Sequence, residues 1–124
     1  MKNPIEKIEI DKEFALFSEY WRPKIIAELN DQEVKLVKFK GEFVWHHHDI
    51  EDELFLVWHG SFRVEFHDHI VELKQSELIV VLHGIEHRTV ADKEVEVLIF
   101  EPQATRNTGD IADEYFTTPI GAKI

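Results

Sequence analysis

Three consecutive histidines, His46, His47 and His48, are followed after four residues by Glu53, in a chain that carries 8 histidines among 124 residues. In an extended strand, side chains two apart share a face. His46 and His48 therefore project together, with Cβ atoms roughly 6.5–7 Å apart, while His47 points to the opposite side. That spacing suits two imidazole nitrogens meeting one metal ion. Asp49, Ile50, Glu51 and Asp52 read as a polar turn, and Glu53 opens the next strand. Folded back antiparallel, Glu53 can face the histidines and add an anionic oxygen. A fourth ligand has to come from elsewhere, and His87, after Gly84 and at the head of another extended segment, is the best candidate. Three neutral imidazoles and one carboxylate suit one divalent transition metal: Fe, Mn, Ni, Co, Cu or Zn. In an octahedral ion, four protein ligands leave about two positions for water, substrate or dioxygen, which serves catalysis better than a closed structural site. A run of histidines can also be a solvated patch or a tag, but this one is internal and flanked by Phe43, Val44, Trp45, Leu54 and Phe55.

Other residues near this set invite weighing. Phe55 and Val57 share the face of Glu53, and Trp45 adjoins His46, so all three are expected to line the pocket. His59 has the same parity and is a candidate proton shuttle near neutral pH; its place beside Gly60 fits a surface turn equally well. Asp52 could hydrogen-bond a ligand histidine. His67 and His69 flank Asp68 in a hairpin tip, His83 reads as a loop residue, and Arg88 points away from the metal if its strand is regular.

The elements that must position these groups are short strands. The stretches 24–29, 34–39, 43–48, 54–58, 62–66, 70–73, 78–82 and 95–100 are apolar or alternating, and Gly41, Gly60, Asp68, Gln75-Ser76 and Gly84 punctuate them. Asn30-Asp31 is a tight-turn pair. Such regular spacing implies an all-β sandwich or barrel. Before residue 30 the apolar cluster of Phe14, Ala15, Leu16, Phe17, Tyr20 and Trp21 reads as one helical turn ended by Pro23. Its aromatic members are a candidate contact surface or lid. The segment 103–124 reads as a final strand pair or a loose extension.

The bulk numbers exclude several classes. There is no cysteine, so disulfides, thiolate nucleophiles and zinc–thiolate sites are ruled out. A net charge of −11 lacks the basic footprint of nucleic-acid binding and repels anionic membranes. No apolar stretch approaches the roughly 20 residues of a membrane helix, and residues 1–10 have no signal-peptide character. A cytoplasmic protein with a small-molecule ligand is expected. No serine sits in a nucleophile elbow, and the 5 glycines form no phosphate-cradling loop.

The spacing of Gly41, His46-x-His48, Glu53 and Gly60 closely resembles the first cupin motif, with four residues instead of about five after the glycine. The second motif is degenerate. Ser76 stands for its glycine, Leu82 for its proline and Ala91 for its asparagine, while Gly84 and His87 keep their intervals. The resemblance spans about residues 33–101. It implies a double-stranded β-helix, the jelly-roll cupin barrel of small cupin 2-type proteins. Residues 1–32 would form a short N-terminal extension with the first strand, 33–101 the barrel core and 102–124 a tail packed on it. It also implies one metal on His46, His48, Glu53 and His87, and dioxygenase, isomerase, epimerase or decarboxylase chemistry, the first two preferred. A non-catalytic sensor or storage module is the alternative, and a barrel with a vestigial metal site a third reading. Small barrels of this kind commonly pair through sheet edges, so a homodimer is expected.

Overall fold

The computed structural model describes residues 5–113, 115–118 and 122–124; the first residues of the 1–32 extension and parts of the 102–124 tail lie outside these. Asn30 and Asp31 turn the chain with φ of 46° and 63°. Two successive left-handed residues are what a two-residue hairpin with the natural strand twist requires. They join β1 (Lys24–Leu29) to β2 (Gln32–Glu42), which then pairs along its other edge with β7 (His87–Pro102). Gly60, at φ 99°, separates β3 (Glu53–His59) from β4 (Ser61–Phe66). A Cβ there would sit 3.1 Å from the Glu94 carbonyl, so a side chain would have to push the neighbouring backbone aside as well as adopt a strained φ. β5 (Ile70–Lys74) returns along β4, and β6 (Leu78–Val81) along β3.

The 16-residue strand β7 organises the barrel. Its first part pairs with Arg63–Phe66 of β4, and Val90 and Ala91 also meet Glu42 and Gly41 of β2. Its second part lies between β2 and β3. One strand therefore belongs to both leaves of an antiparallel jelly roll. The one parallel pairing among the described residues joins β1 to the short β8 (Ala122–Lys123).

Period-two alternation places the core. Phe55 and Val57 on β3 and Val95, Val97 and Ile99 on β7 are buried on the inner face. β2 is buried on both faces. Val37 and Phe39 point into the barrel, while Leu36 packs with Phe14 and Ile26 beneath the N-terminal segment. The helix α1 (Ile10–Phe14) starts earlier than the aromatic cluster suggests and ends well before Pro23. Within the cluster Phe14 and Trp21 are buried, while Leu16 is exposed. Trp21, at φ 62°, stacks on Phe39 and Phe43 at 4.7 Å each and donates its indole N–H to the Lys40 carbonyl at 3.1 Å.

The stretch 43–48 is not a ladder strand. Gly41, at φ 89°, and the register shift beside it swing the chain out of the line of β2. The segment keeps Phe43 N–H to Thr89 O at 2.9 Å, and His46 and His87 exchange both backbone hydrogen bonds at 2.9 Å. Among the described residues no helix is long and apolar enough to cross a membrane.

Candidate metal centre

The His46–His87 bridge brings one ligand segment against the head of β7. The two imidazole centroids lie 4.5 Å apart. Each Nδ1 lies 2.9 Å from a carbonyl two residues back, Val44 O for His46 and Ile85 O for His87. A carbonyl only accepts, so both Nδ1 atoms donate, and in the neutral rings this leaves the lone pairs on Nε2. Glu53 enters from the first residue of β3, whose partners are β6 and β7 rather than the histidine segment, so no hairpin with 46–48 is involved. Donor atoms of His46, Glu53 and His87 all lie within 4.8 Å of one another. His48 stands beside this trio, with Nε2 2.8 Å from Glu53 Oε1; Nε2 of His87 lies 3.7 Å from the same oxygen.

These atoms fit a cation. His48 Nδ1 and Nε2, His87 Nε2 and Glu53 Oε1 are fully buried, and no hydrogen bond in acceptable geometry reaches them. Buried polar atoms without partners are rare because each costs about 1–3 kcal/mol. Converging lone pairs of nitrogen and carboxylate oxygen are satisfied together by a divalent transition metal.

Electrostatics differ sharply within the group. Burial, then the neighbouring His87, pushes the pKa of His46 down to about 4. Burial also works against a charged His48, but Glu53 beside it, with Glu51 and Asp110, outweighs burial and raises its pKa. For Glu53, burial favours the neutral acid, yet the adjacent imidazoles of His48 and His87 hold its carboxyl well below the usual range.

Behind Glu53 lies a feature that the sequence reading passed over. Glu101 continues the inward face of β7 after Val95, Val97 and Ile99 and is buried. Lys35, equally buried on β2, donates to Glu101 Oε1 at 2.9 Å and to the Thr105 carbonyl at 3.4 Å, with Glu33 Oε1 at 3.7 Å. Oε2 of Glu101 has no hydrogen-bond partner and is fully buried. Burial, then the negative charge of Glu53, pushes the Glu101 carboxyl well above the ordinary carboxylate range. The period-two pattern of residues 95–101 carried the signal: a glutamate stands where the apolar face should continue.

A cavity of about 30 Å³, room for about two waters, adjoins the ligands. Trp21, Phe39, Phe43 and Phe55 form its apolar walls, and His46, Glu53, Thr89, Glu101 and Asn107 its polar ones. Phe55 is thus on the pocket, and Val57 sits deeper in the core. Trp45 is not on the pocket. His46 turns inward, so its neighbour faces out, where its ring stacks on His67 at 4.4 Å and beneath Arg88. His59 also misses the site. A bulge between Val57 and His59 reverses the parity, and Nε2 of His59 instead meets Asp11 Oδ1 at 3.0 Å on the surface. Trp58 Nε1 donates to the same oxygen at 2.7 Å, so this exposed group ties α1 to the barrel. Asp52 accepts from the backbone and ring of His83, both at 2.8 Å, rather than from a ligand histidine. His67 pairs with Glu86 and His69 with Asp68 on the surface, and Arg88 is held outward by Glu65 at 2.7 Å.

No protein-family model matches the chain. A crystal structure of a cupin-2 domain protein from Shewanella frigidimarina is 42% identical, covering 77% of this chain and 94% of that one, with a TM-score of 0.77. The chain belongs to the cupin superfamily. This cupin is also 35% identical over 106 residues to YdbB of Bacillus subtilis, covering 77% of the cupin and 88% of YdbB. A Neisseria meningitidis protein of known structure matches 78% of it at 28% identity, with 99% of that chain covered and a TM-score of 0.72. The departures from the second cupin motif now have a structural reading. Ser76, where the motif has glycine, takes φ 72° and donates its N–H to Val57 O at 2.9 Å, so the turn survives the substitution.

Proposed function

We propose that this cupin holds one divalent transition metal on His46, His48, Glu53 and His87 and acts on a small molecule, by chemistry of the dioxygenase or isomerase type. The observation that carries this reading is the set of buried lone pairs on His48, His87 and Glu53 that no hydrogen bond reaches. The ion, bound there, would supply Lewis acidity to a substrate oxygen. The chain's own residues do the rest. The carbonyls of Val44 and Ile85 fix two imidazoles in the metal-binding tautomer. Phe39, Phe43, Phe55 and Trp21 give the cavity beside the ligands apolar walls and leave room for only about two waters. Glu101 presents a carboxyl at the pocket wall that can give or take a proton at Oε2, while Lys35 holds its other oxygen. A carboxyl beside the ligands favours the isomerase type, because moving a proton between substrate atoms needs such a group and dioxygen chemistry needs it less.

The narrowness of the cavity favours a second reading, a metal-binding module that senses or stores without turnover. The experiment separating these begins with metal analysis of untagged protein. One equivalent of a transition metal is expected, lost in His48→Ala; no stoichiometric metal in either protein refutes both readings. Oxygen uptake and isomerisation are then assayed with the iron- and manganese-loaded protein. Ligand binding with neither oxygen uptake nor conversion supports the module.

We further propose a cytoplasmic homodimer with no nucleic-acid or membrane partner. Leu78 and Val80 are exposed along β6 and Leu82 just beyond its end, and β6 pairs only with β3 among the described residues. An apolar strand with a free edge is a ready surface for a second copy. Val80→Asp should then convert a dimer to a monomer in light scattering; a wild-type monomer contradicts the proposal.

A further inference from the structure

Along one flank the histidine-bearing segment is held by backbone bonds within the barrel, to Thr89, to His87 and, through the His48 carbonyl, to the Gly84 N–H at 2.7 Å. Its other flank is held by the C-terminal segment, and it is held there by one residue. Asp110 donates its backbone N–H to His47 O at 2.9 Å and accepts the His47 N–H on Oδ1 at 2.9 Å. Its second oxygen lies 3.4 Å from His47 Nδ1. Backbone and side chain of Asp110 thus close a ring around the residue between the two ligands. The approach is tight: Gly109, at φ 57°, lies so close that a Cβ there would fall inside contact distance of His47 O and 3.0 Å from His46 Cδ2. The segment is itself ordered by the completely buried Thr108, whose hydroxyl contacts Thr117 and Ile111 O, and by Asn107, which bonds Phe116 O at 2.7 Å and lines the metal pocket.

We propose that Asp110 is a positioning residue for the metal, latching residues 105–113 onto His47 so that His46 and His48 stay aimed at Glu53 and His87. This rests on the metal reading above. His47 points away from the metal and is the handle by which its neighbours are aimed. Because latch and metal favour the same arrangement of one segment, each strengthens the other by the same factor. The segment that closes the pocket is therefore tightest when the metal is bound.

The test uses the full chain, with zinc as the probe, competed against a chelator. Asp110→Ala is expected to weaken zinc binding roughly 10–100-fold, as loss of groups that orient metal ligands commonly does. Asp110→Asn keeps an oxygen for the His47 N–H and should stay near wild type. Gly109→Ala, which forces the two backbones apart, should resemble Asp110→Ala. In the wild type, zinc should slow hydrogen exchange at the amides of His47 and Asp110, and this added protection should vanish at both positions in Asp110→Ala. Should Asp110→Ala unfold, Asp110→Asn and Gly109→Ala still decide the matter. Tight zinc binding by wild type and by Asp110→Ala or Gly109→Ala overturns the latch while leaving the metal centre standing. Asp110→Asn binding as weakly as Asp110→Ala overturns it in favour of a plain charge effect. A wild type that binds no zinc overturns latch and metal centre together.

Discussion

Replacing Lys35 by methionine probes the pair behind the metal ligands. The ammonium lies 2.9 Å from Glu101 Oε1 and 3.7 Å from Glu33 Oε1, and all three side chains are at most 5% exposed. Methionine keeps most of the volume and removes the charge. Where Glu101 is ionised, breaking the buried pair from one side costs about 3–5 kcal/mol, because the other charge stays behind without compensation. Against a domain stability of about 5–15 kcal/mol this is a large share. With a urea slope near 1.5 kcal/mol/M, the midpoint should fall by about 2–3 M. The loss should also depend on pH. The Glu101 carboxyl titrates well above 4.5 in the folded chain, through burial and then Glu53, with Lys35 pulling the other way. A raised pKa contributes stability in full below the unfolded value and loses it as pH rises through the folded value. Removing Lys35 lifts the folded value further, so the variant should lose more at pH 8 than at pH 5. Lys35→Met with Glu101→Met removes both charges and should recover about half or more of the loss. Urea titrations of metal-free protein at both pH values provide the measurement. A cost below about 1 kcal/mol, or no recovery in the double variant, would refute the claim that these charges are compensated chiefly by each other.

Two further outcomes follow from the same geometry. The pKa of His46 is pushed down to about 4, chiefly by burial, from 6.5 in the unfolded chain. Its contribution is therefore full above pH 6.5 and lost as pH falls towards 4, about 3 kcal/mol in all. In chelator, the wild type should lose that much more stability than His46→Gln between pH 7 and pH 4; equal losses would remove burial as the cause. Trp21→Ala deletes the ring stacked on Phe39 and Phe43 and the hydrogen bond to Lys40 O. A cost of about 3–5 kcal/mol is expected in denaturant unfolding, and a cost under 1 kcal/mol would mean that the ring is not part of the closed core.

Much of this architecture was legible because it depends on local pattern. Alternation marks one face of each strand, and the turn at Asn30 and Asp31 is written in residues that tolerate positive φ. The gathering of His46, His48, Glu53 and His87 was legible because a motif preserves their spacing. What failed depended on breaks in regularity. Parity puts Phe55 on the face that lines the cavity, but the bulge at Trp58 reverses it for His59, and nothing in the composition of residues 57–59 announces a bulge. Trp45 was misplaced by adjacency, since a neighbour in sequence faces the opposite way. Lys35, Glu33 and Glu101 escaped notice because charged residues on strands are ordinarily read as solvated. Only the pairing of β2 with β7, in which Glu33 lies opposite Glu101, makes them a buried cluster.

The ligand segment joins these failures to the function. A regular strand at 43–48 would have its backbone groups taken up by neighbours along both edges, and its side chains would be set by the sheet's pleat. Instead the chain leaves the line of β2 after Glu42 and keeps bonds to Thr89, His87 and Gly84 on one side. That departure lets the His46 ring turn back so that its Nδ1 bonds the carbonyl of Val44, an orientation that frees Nε2 for a ligand. A backbone released from the ladder must find other partners or expose polar groups. His47 finds them in Asp110, far along the chain and outside the motif. The geometry that makes the histidines available is thus the same geometry that makes the C-terminal segment necessary.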